Sequence, residues 1–470
     1  MRNLNLSDTI AAVATSIGES GIGIVRMSGK DALKIADKIF LSKDKRKPSE
    51  FKTYTTHYGW IVEAGNLKLK TQNRNIIDEV ILTVMRAPKS YTKEDVVEIN
   101  CHGGIVALRA VLDLVLINGA RLAKPGEFTE RAFLNGRIDL AQAEAVLDII
   151  RAKTDSALKI GIEQLKGALS RQISKIRAGL LDVLSLLEAN IDFPEEEIGA
   201  VDYKRIQQRL NKIDAQMISI LEAAKYGRIL REGIHVVICG KPNVGKSSLL
   251  NALLKQERSI VTPFAGTTRD TIEEIIDIKG IPIRIVDTAG IIEPRDLVEK
   301  KAVLRSKKYI DLADMVILLF DGSKKLDKND SILIKKLKNK NTIAVVNKID
   351  LKQKIEKNGL SKIFADVITI SAKKAKNITA LEEAIAAVVY KGQIISSESI
   401  ILSNLRHIES LRRAQKLVAE AANSMDNSQL SIEFIAQNIK DALFSLDELL
   451  GKKFSEELLD KIFDDFCIGK

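Results

Sequence analysis

Eight residues, Gly240-Lys241-Pro242-Asn243-Val244-Gly245-Lys246-Ser247, carry the spacing G-x-x-x-x-G-K-[ST] between an apolar run, His235–Cys239, and a helical run, Ser248–Leu254. Glycines at that spacing let backbone N–H groups turn inward around a β-phosphate, and the helix N-terminus adds partial positive charge. Asn243, Val244, Gly245 and Ser248 then line a phosphate cradle, Lys246 bridges β- and γ-phosphates, and Ser247 offers a hydroxyl to Mg²⁺. Asp287-Thr288-Ala289-Gly290 follows the strand-like Ile283–Val286, placing a carboxylate where it orders Mg²⁺ through water and a glycine N–H where it meets the γ-phosphate. Asn347-Lys348-Ile349-Asp350 follows Ile343–Val346. A carboxylate at Asp350 accepts from the N1–H and exocyclic amine of guanine but would face the N1 lone pair of adenine, so this string selects GTP over ATP. Ser371-Ala372-Lys373 completes the guanine side. The residue after Gly290 is Ile291, where Ras-like enzymes place a water-orienting glutamine, so the attacking water must be held by another group.

Strings in this order on successive strands require a doubly wound, mostly parallel sheet with ligands at the strands' carboxyl ends. The 470 residues suggest about three domains. From Thr9 to Ala123, short β-rich runs (Ile10–Ala14, Gly23–Met27, Val80–Met85, Val96–Asn100) alternate with helical ones (Ala32–Ile39, Ile105–Leu116), an α+β pattern. After Pro125 the texture is helical. Leu158, Ile162, Leu165, Leu169, Ile173, Ile176, Leu180, Leu184, Leu187 and Ile191 make one apolar stripe that predicts a single long helix ending at Asp192-Phe193-Pro194. Ile206, Leu210, Ile213, Met217 and Ile220 give it a partner, and the same period resumes at Ile408, Leu411 and from Ile432 to Leu450. One helical bundle split by an inserted domain accounts for this, because insertion needs only that the insert's ends lie close together. The expected boundaries are 1–124 for the α+β domain, 125–232 and 393–470 for the two helical parts, and 233–392 for the nucleotide-binding insert.

Hydrophobic residues at 45% and charged residues at 29% exclude wholesale disorder, and no apolar run reaches the ~18 residues of a spanning helix. The 73 Lys and Arg against 62 Asp and Glu leave +11, compatible with a polyanionic partner such as RNA and equally with a lysine-rich solvated surface. Cys101, Cys239 and Cys467 lie far apart with no ligand spacing, which fits a reducing compartment. With no signal or transit pattern before Thr9, a cytoplasmic location is expected. Cys239 and Cys467 read as packing residues, and His102 before Gly103-Gly104 as a turn residue.

The phosphate loop with its continuation Ser248-Leu249-Leu250-Asn251, the segment Gly266-Thr267-Thr268-Arg269-Asp270, the strings Pro125-Gly126-Glu127-Phe128-Thr129-Glu130-Arg131-Ala132-Phe133-Leu134-Asn135 and Asp192-Phe193-Pro194, and the terminal Phe466-Cys467-Ile468-Gly469-Lys470 together resemble the MnmE (TrmE) tRNA-modification GTPases. The likeness covers essentially the whole chain. It implies an N-terminal tetrahydrofolate-binding and dimerising domain, a helical domain, and a GTPase domain inserted into it. It further implies a homodimer that works with the flavoprotein MnmG (GidA) to place an aminomethyl-type group on carbon 5 of the wobble uridine of certain tRNAs.

By the same resemblance GTP hydrolysis depends on K⁺, held by the Asn243 side chain with Thr262, Phe264 and Thr267, where a cation beside the phosphoryl group supplies the charge of an arginine finger. Thr268 would complete the Mg²⁺ shell with Ser247, and Glu299 would orient the water that Ile291 leaves unheld. Without the resemblance, Glu299 reads as a solvated carboxylate on a Lys- and Arg-rich helix, and Asn243 as a turn residue. Arg26, Glu98, Arg137 and Lys470 would bound a 5-formyltetrahydrofolate pocket. Arginine at 137 stands where the family pattern has lysine, and Ser16-Ile17-Gly18-Glu19-Ser20-Gly21 lacks its Pro-Pro and paired glycines. Two other classes use the same features: a GTPase switch in ribosome assembly, and a folate-dependent transferase regulated by GTP.

Overall fold

The computed structural model describes residues 7–63, 75–192, 203–256, 274–287, 310–390, 402–425 and 431–470. The chain divides into two compact units, Met1–Leu147 with Gln164–Arg177 and Leu443–Lys470, and Asp148–Glu163 with Ala178–Ala442.

In the first unit β1 (Ile10–Val13), β2 (Gly23–Ser28), α1 (Ala32–Ile39), β3 (Phe40–Ser42), β4 (Thr55–Val62), β5 (Ile76–Met85), β6 (Val96–Cys101), α2 (Ile105–Ile117) and β7 (Arg121–Leu122) build a seven-stranded sheet in the order β3-β4-β5-β6-β2-β1-β7. The period of two along these strands separates the faces. Val25 and Met27 of β2, Leu82 and Val84 of β5, and Val97 and Ile99 of β6 enter one core with Ile35 and Ile39 of α1 and Val111 and Val115 of α2. Each such fully buried aliphatic side chain contributes roughly 1.5–3 kcal/mol. Arg26 and Glu98 fall on the alternate positions, directly opposite each other across β2 and β6. The pattern that fills the core thus also sets this charged pair side by side on the other face.

α3 (Glu127–Leu134), α4 (Leu140–Arg151), α5 (Asp155–Leu165), α6 (Ala168–Asp192) and α7 (Tyr203–Glu232) follow. The stripe from Leu158 to Ile191 is therefore two helices, correcting the single helix expected. Gly167 separates them at φ +78, a left-handed backbone that a side chain would strain. The side-chain amide of Gln142 donates to the carbonyl of Leu165 at 2.8 Å, satisfying a carbonyl that the break releases. The stripe could not show this, because Leu165 and Leu169 keep the step of four across the break.

The second unit carries β8 (Ile234–Gly240), α8 (Lys246–Gln256), β9 (Glu274–Ile278), β10 (Ile281–Asp287), β11 (Met315–Asp321), α9 (Lys328–Leu337), β12 (Thr342–Asn347), α10 (Lys357–Ser361), β13 (Asp366–Thr369) and α11 (Ile378–Tyr390). The sheet order is β13-β12-β11-β8-β10-β9, parallel except for the β9 edge. Val236 and Ile238 of β8 pack with Leu249 of α8 and Leu381 and Ile385 of α11, while Val237 and Cys239 pack on the other face with Leu333 and Leu337 of α9. Apolar residues on both faces are what a central parallel strand needs. Beyond the sheet, α12 (Leu405–Ser424) runs antiparallel to α7, with Gln415 donating to Asp214 at 2.8 Å and Gln207 to the Ala422 carbonyl at 3.4 Å. The chain closes with α13 (Ile432–Leu450) and α14 (Glu456–Asp464).

Candidate functional site

The chain leaves the first strand of the second sheet at Gly240 and re-enters a helix at Lys246, so the phosphate-loop string spans the turn between β8 and α8. β8 lies between β10 and β11, and Asp287 at the end of β10 pairs in register with Ile238. The carboxyl ends of the neighbouring strands therefore converge on this turn, at the point where strand order reverses. Asn243 holds the left-handed conformation, φ 65, which asparagine tolerates better than most residues. Lys246 curls back so that Nζ donates to the carbonyls of Gly240 and Lys241, both at 3.0 Å. Ser247 and Ser248, at the start of α8, are exposed.

The guanine-side strings are tied to this loop directly. Asn347 Nδ2 donates to the Val244 carbonyl at 2.8 Å, and its Oδ1 accepts from the Ala372 N–H at 2.9 Å. Gly245 (φ +105) faces the same amide, and a β-carbon there would run into Asn347 Nδ2, so this close approach requires glycine. Lys348 Nζ donates to the Asn243 carbonyl at 2.8 Å and pairs with Asp321 at 2.7 Å. Burial pushes the Asp321 carboxyl up, but Lys348 and the N–H and hydroxyl of Ser323 outweigh it and hold it below the usual range. Ser371 Oγ donates to Asp350 Oδ1 at 2.6 Å, which lowers the Asp350 pKa together with Lys374 and Lys373 nearby. Asp350 is exposed, with its carboxylate oriented by that hydrogen bond.

Sequence reasoning missed two parts of this arrangement. Asp321 ends β11 as an ordinary strand residue, and only the position of Lys348 reveals its role. Lys241 is paired with Asp327 at 2.7 Å and Asp330 at 2.6 Å, the capping-box residues at the start of α9. Burial works against the Lys241 charge, but these two carboxylates outweigh it and raise its pKa. The second residue of the phosphate loop is thereby anchored to a neighbouring helix.

The first unit brings together residues from both ends of the chain. Arg26 Nε donates to Glu98 Oε1 at 2.7 Å, and Nη1 donates to the Gly469 carbonyl at 3.2 Å. The tail is seated on the start of α3: Phe128 N–H donates to the Lys470 carbonyl at 3.1 Å, Gly126 N–H to that of Cys467 at 3.4 Å, and Pro125 bridges Ile468. The Arg26 guanidinium lies 5.7 Å from the centroid of the Phe128 ring. Arg137 stacks over Tyr91 at 4.9 Å, and the Tyr91 hydroxyl meets Thr129 Oγ1 at 3.0 Å. These contacts tie Arg26, Glu98 and the main chain of Gly469 and Lys470 to the start of α3, and Tyr91 and Thr129 link Arg137 to the same helix. Phe128 is fully buried beneath Arg26 and Tyr91 is half-buried beneath Arg137, so what this part of the unit offers a ligand is its two guanidinium groups and a carboxylate, which suit a molecule carrying carboxylates and a hydrogen-bonding edge.

The family model for the MnmE helical domain matches residues 140–467, and that for the GTP-binding protein TrmE N-terminus matches 9–137. The tRNA modification GTPase MnmE of Clostridioides difficile (strain 630) is 45% identical, and that of Alkaliphilus oremlandii (strain OhILAs) 44% identical, each alignment covering 99% of this chain and 100% of the relative. The chain belongs to the MnmE family of tRNA modification GTPases. Aquifex aeolicus Era bound to GDP and aluminium fluoride matches 39% of this chain and 66% of its own at 32% identity, with a TM-score of 0.28.

As an MnmE-family protein the chain is a GTP hydrolase with a mixed α/β N-terminal domain and a helical region that carries an inserted P-loop GTPase fold. Among the described residues no helix is long and apolar enough to cross a membrane. Thr262, Phe264, Thr267, Thr268, Thr288, Ala289, Gly290, Ile291 and Glu299 lie outside the described residues, as do Phe193 and Pro194 of the string that closes the stripe. Cys467 corrects the packing role expected of it: α14 ends at Asp464, and the thiol is exposed while Phe463 and Phe466 are buried. Cys239 is buried on β8 as core packing requires. His102, exposed, pairs through Nδ1 with Asp78 at 2.6 Å.

The α3 string conceals another feature. Arg131, 1% exposed, meets Asp8 at 2.5 Å, Glu94 at 3.1 Å and Glu127 at 3.1 Å. Glu94 in turn accepts from Ser28 at 2.6 Å, two residues along β2 from Arg26. In the sequence Arg131 is one charge among several, and nothing local marks it as buried.

Proposed function

We propose that the chain is a potassium-dependent GTPase that, with the flavoprotein MnmG (GidA), installs an aminomethyl-type group on carbon 5 of the wobble uridine of certain tRNAs, drawing a one-carbon unit from 5-formyltetrahydrofolate. The observation that carries this reading is the tail at Arg26. The MnmE-type ending Cys467-Ile468-Gly469-Lys470 lies against the pair Arg26 and Glu98, where resemblance puts a folate.

In this reading Lys246, Asn243, Val244, Gly245, Ser247 and Ser248 hold the phosphates of GTP with Thr262, Thr267, Thr268, Asp287, Thr288, Ala289 and Gly290. Asn347, Lys348, Asp350, Ser371, Ala372 and Lys373 hold the base. Ser247 and Thr268 ligate Mg²⁺; an exposed hydroxyl opening α8 beside the end of β10 is a hard oxygen donor of the type this ion takes. Asn243, Thr262, Phe264 and Thr267 would hold K⁺, and Asn243, exposed and left-handed in the loop, carries an amide oxygen of the kind that ion takes. Glu299 orients the attacking water. When bound, the two cations would supply positive charge against the charge that builds up on the transferring phosphoryl group.

Residues 1–124 form the folate-binding and dimerising domain, 125–232 and 393–470 the helical domain, and 233–392 the GTPase domain of a cytoplasmic homodimer. Mass spectrometry of wobble nucleosides from cells with and without the chain tests the function. Loss of the carbon-5 group without the chain is the expected result, and an unchanged nucleoside profile would overturn the proposal.

A further inference from the structure

A concentration of positive charge in the second unit lies away from the nucleotide motifs, at the opposite end of the sheet. A cavity of about 350 Å³ is lined by Arg151, Lys153, Arg231 and Arg284 with Asp148 and Glu232. A second, of about 780 Å³, shares Arg284 and Glu232 with it and adds Lys225, Arg228, Arg412 and Asp314. The two adjoin at these shared residues, and the cleft lining they make together carries seven cationic side chains against three anionic ones. The anions are already engaged within the protein. Asp148 pairs with Arg231 at 2.7 Å, Glu232 with Arg228 at 2.8 Å, and Asp314 accepts from the His235 N–H at 2.9 Å. Lys225 and Arg412 are exposed, and among the described residues neither has an ion-pair partner.

We infer that this cleft receives the phosphate backbone of the tRNA on which the enzyme acts. The inference rests on the reading that tRNA is bound directly. Cations drawn from four separate segments, residues 151–153, α7, β10 and α12, form an extended positive surface. Along α7 alone, Lys225 to Arg231 rises ~9 Å, a span suited to successive phosphates and longer than one small anion covers. Arginine supplies five of the seven cations, and its planar fork matches phosphate oxygens in pairs. The remaining lining is mostly aliphatic (Ile229, Leu312 and Val388 among it) and carries no Phe, Tyr or Trp, with His235 its single aromatic ring, so the surface addresses backbone more than sequence. Position adds a route to the nucleotide. Arg284 lies on β10 three residues before Asp287, ~10 Å along one rigid strand.

The test uses the full chain and fluorescein-labelled tRNA prepared from cells lacking the chain, with anisotropy read across a salt series. Lys225→Gln with Arg412→Gln should weaken binding about tenfold or more. It should also flatten the slope of log K against log salt by about 1.5, since each lost phosphate contact removes roughly 0.7–0.9. Arg151→Gln with Lys153→Gln, at the other end of the cleft, should act in the same direction. Basal GTP turnover and the melting temperature should stay at wild-type values, which separates lost contacts from lost fold. Wild-type affinity and slope in both double variants would overturn the inference and leave the cleft to an acidic protein surface. No tRNA binding by the wild-type chain at any salt would overturn it too, while the wobble-nucleoside comparison judges the modification function separately.

Discussion

Arg26 donates to the backbone carbonyl of Gly469 at 3.2 Å across a sequence separation of 443. The acceptor is main chain, so side-chain replacement at the tail cannot remove it but deletion can. Removing Cys467–Lys470 also strips the acceptors that Gly126 and Phe128 use. The truncated chain should lose 5-formyltetrahydrofolate binding by calorimetry and fail to modify tRNA, with basal GTP turnover near wild type because the nucleotide motifs lie in the other unit. Unchanged folate binding would separate the tail from the pocket.

Asp350 is the residue most directly assigned to base choice. Asp350→Asn should weaken GTP and relatively favour xanthosine triphosphate, whose carbonyl at that position needs a donor. Competition binding reads the preference, and an unaltered order of the two nucleotides would remove Asp350 from base recognition. Ser371→Ala should weaken GTP more mildly, since it removes the 2.6 Å hydrogen bond that orients the carboxylate and leaves the carboxylate itself.

Turnover should require K⁺ and fall when Na⁺ replaces it at equal ionic strength, and Asn243→Ala should abolish that difference. Glu299→Ala should retain nucleotide affinity and lose about 10²-fold or more in turnover, the order expected of a positioned carboxylate acting on the transition state. Equal rates in the two salts would sink the potassium mechanism, and an intact Glu299→Ala rate would return that residue to the solvated surface.

The network around Arg131 should give the first unit an acid-labile element. Burial raises the Asp8 and Glu127 carboxyls, but Arg121 and Arg131 outweigh it and hold both below their ordinary values of 3.8 and 4.5. Groups with depressed folded pKa values add stability above their unfolded values and lose it as pH falls through the folded ones. Melting followed from pH 7 to pH 3 should therefore show a loss below about pH 4 that Arg131→Met reduces. At neutral pH that substitution should cost about 3–5 kcal/mol, because it leaves Glu127 buried without one of its two arginines. A flat pH profile in the wild-type chain would contradict it.

The nucleotide site was legible in the sequence because its residues sit at fixed spacings after short apolar strands, and spacing survives folding unchanged. Asn347 and Asp350 could be assigned from four consecutive letters, whereas Asp321 could not, since its partner Lys348 lies 27 positions away. The α1 and α2 helices and the strands that hold Arg26 and Glu98 followed from periodicity. β4 did not, because Thr55–Val62 mixes threonine, histidine and glycine with its apolar residues, and two-residue β7 is too short to show a period. The break at Gly167 was hidden by an apolar step that continues across it. Cys467 was misplaced because it stands beside the buried Phe466, yet α14 has ended at Asp464 and leaves the thiol exposed. Arg131 was invisible for the opposite reason: two of its three carboxylate partners, Asp8 and Glu94, lie 123 and 37 positions earlier, and only folding brings them to it.

The same 443-residue separation sets an order of events during synthesis. At about 5–20 residues per second, ribosomal elongation puts Gly469 roughly 20–90 s behind Arg26. β2 and β6 can pair throughout that interval, so a nascent chain carries Arg26 and Glu98 in register long before the tail exists. A ribosome that stops after Tyr390 but before the tail therefore releases a protein with a phosphate loop and an unfinished one-carbon surface. Such a fragment would hydrolyse GTP without contributing to modification, and it would compete with finished copies for any partner that recognises the nucleotide-bearing half.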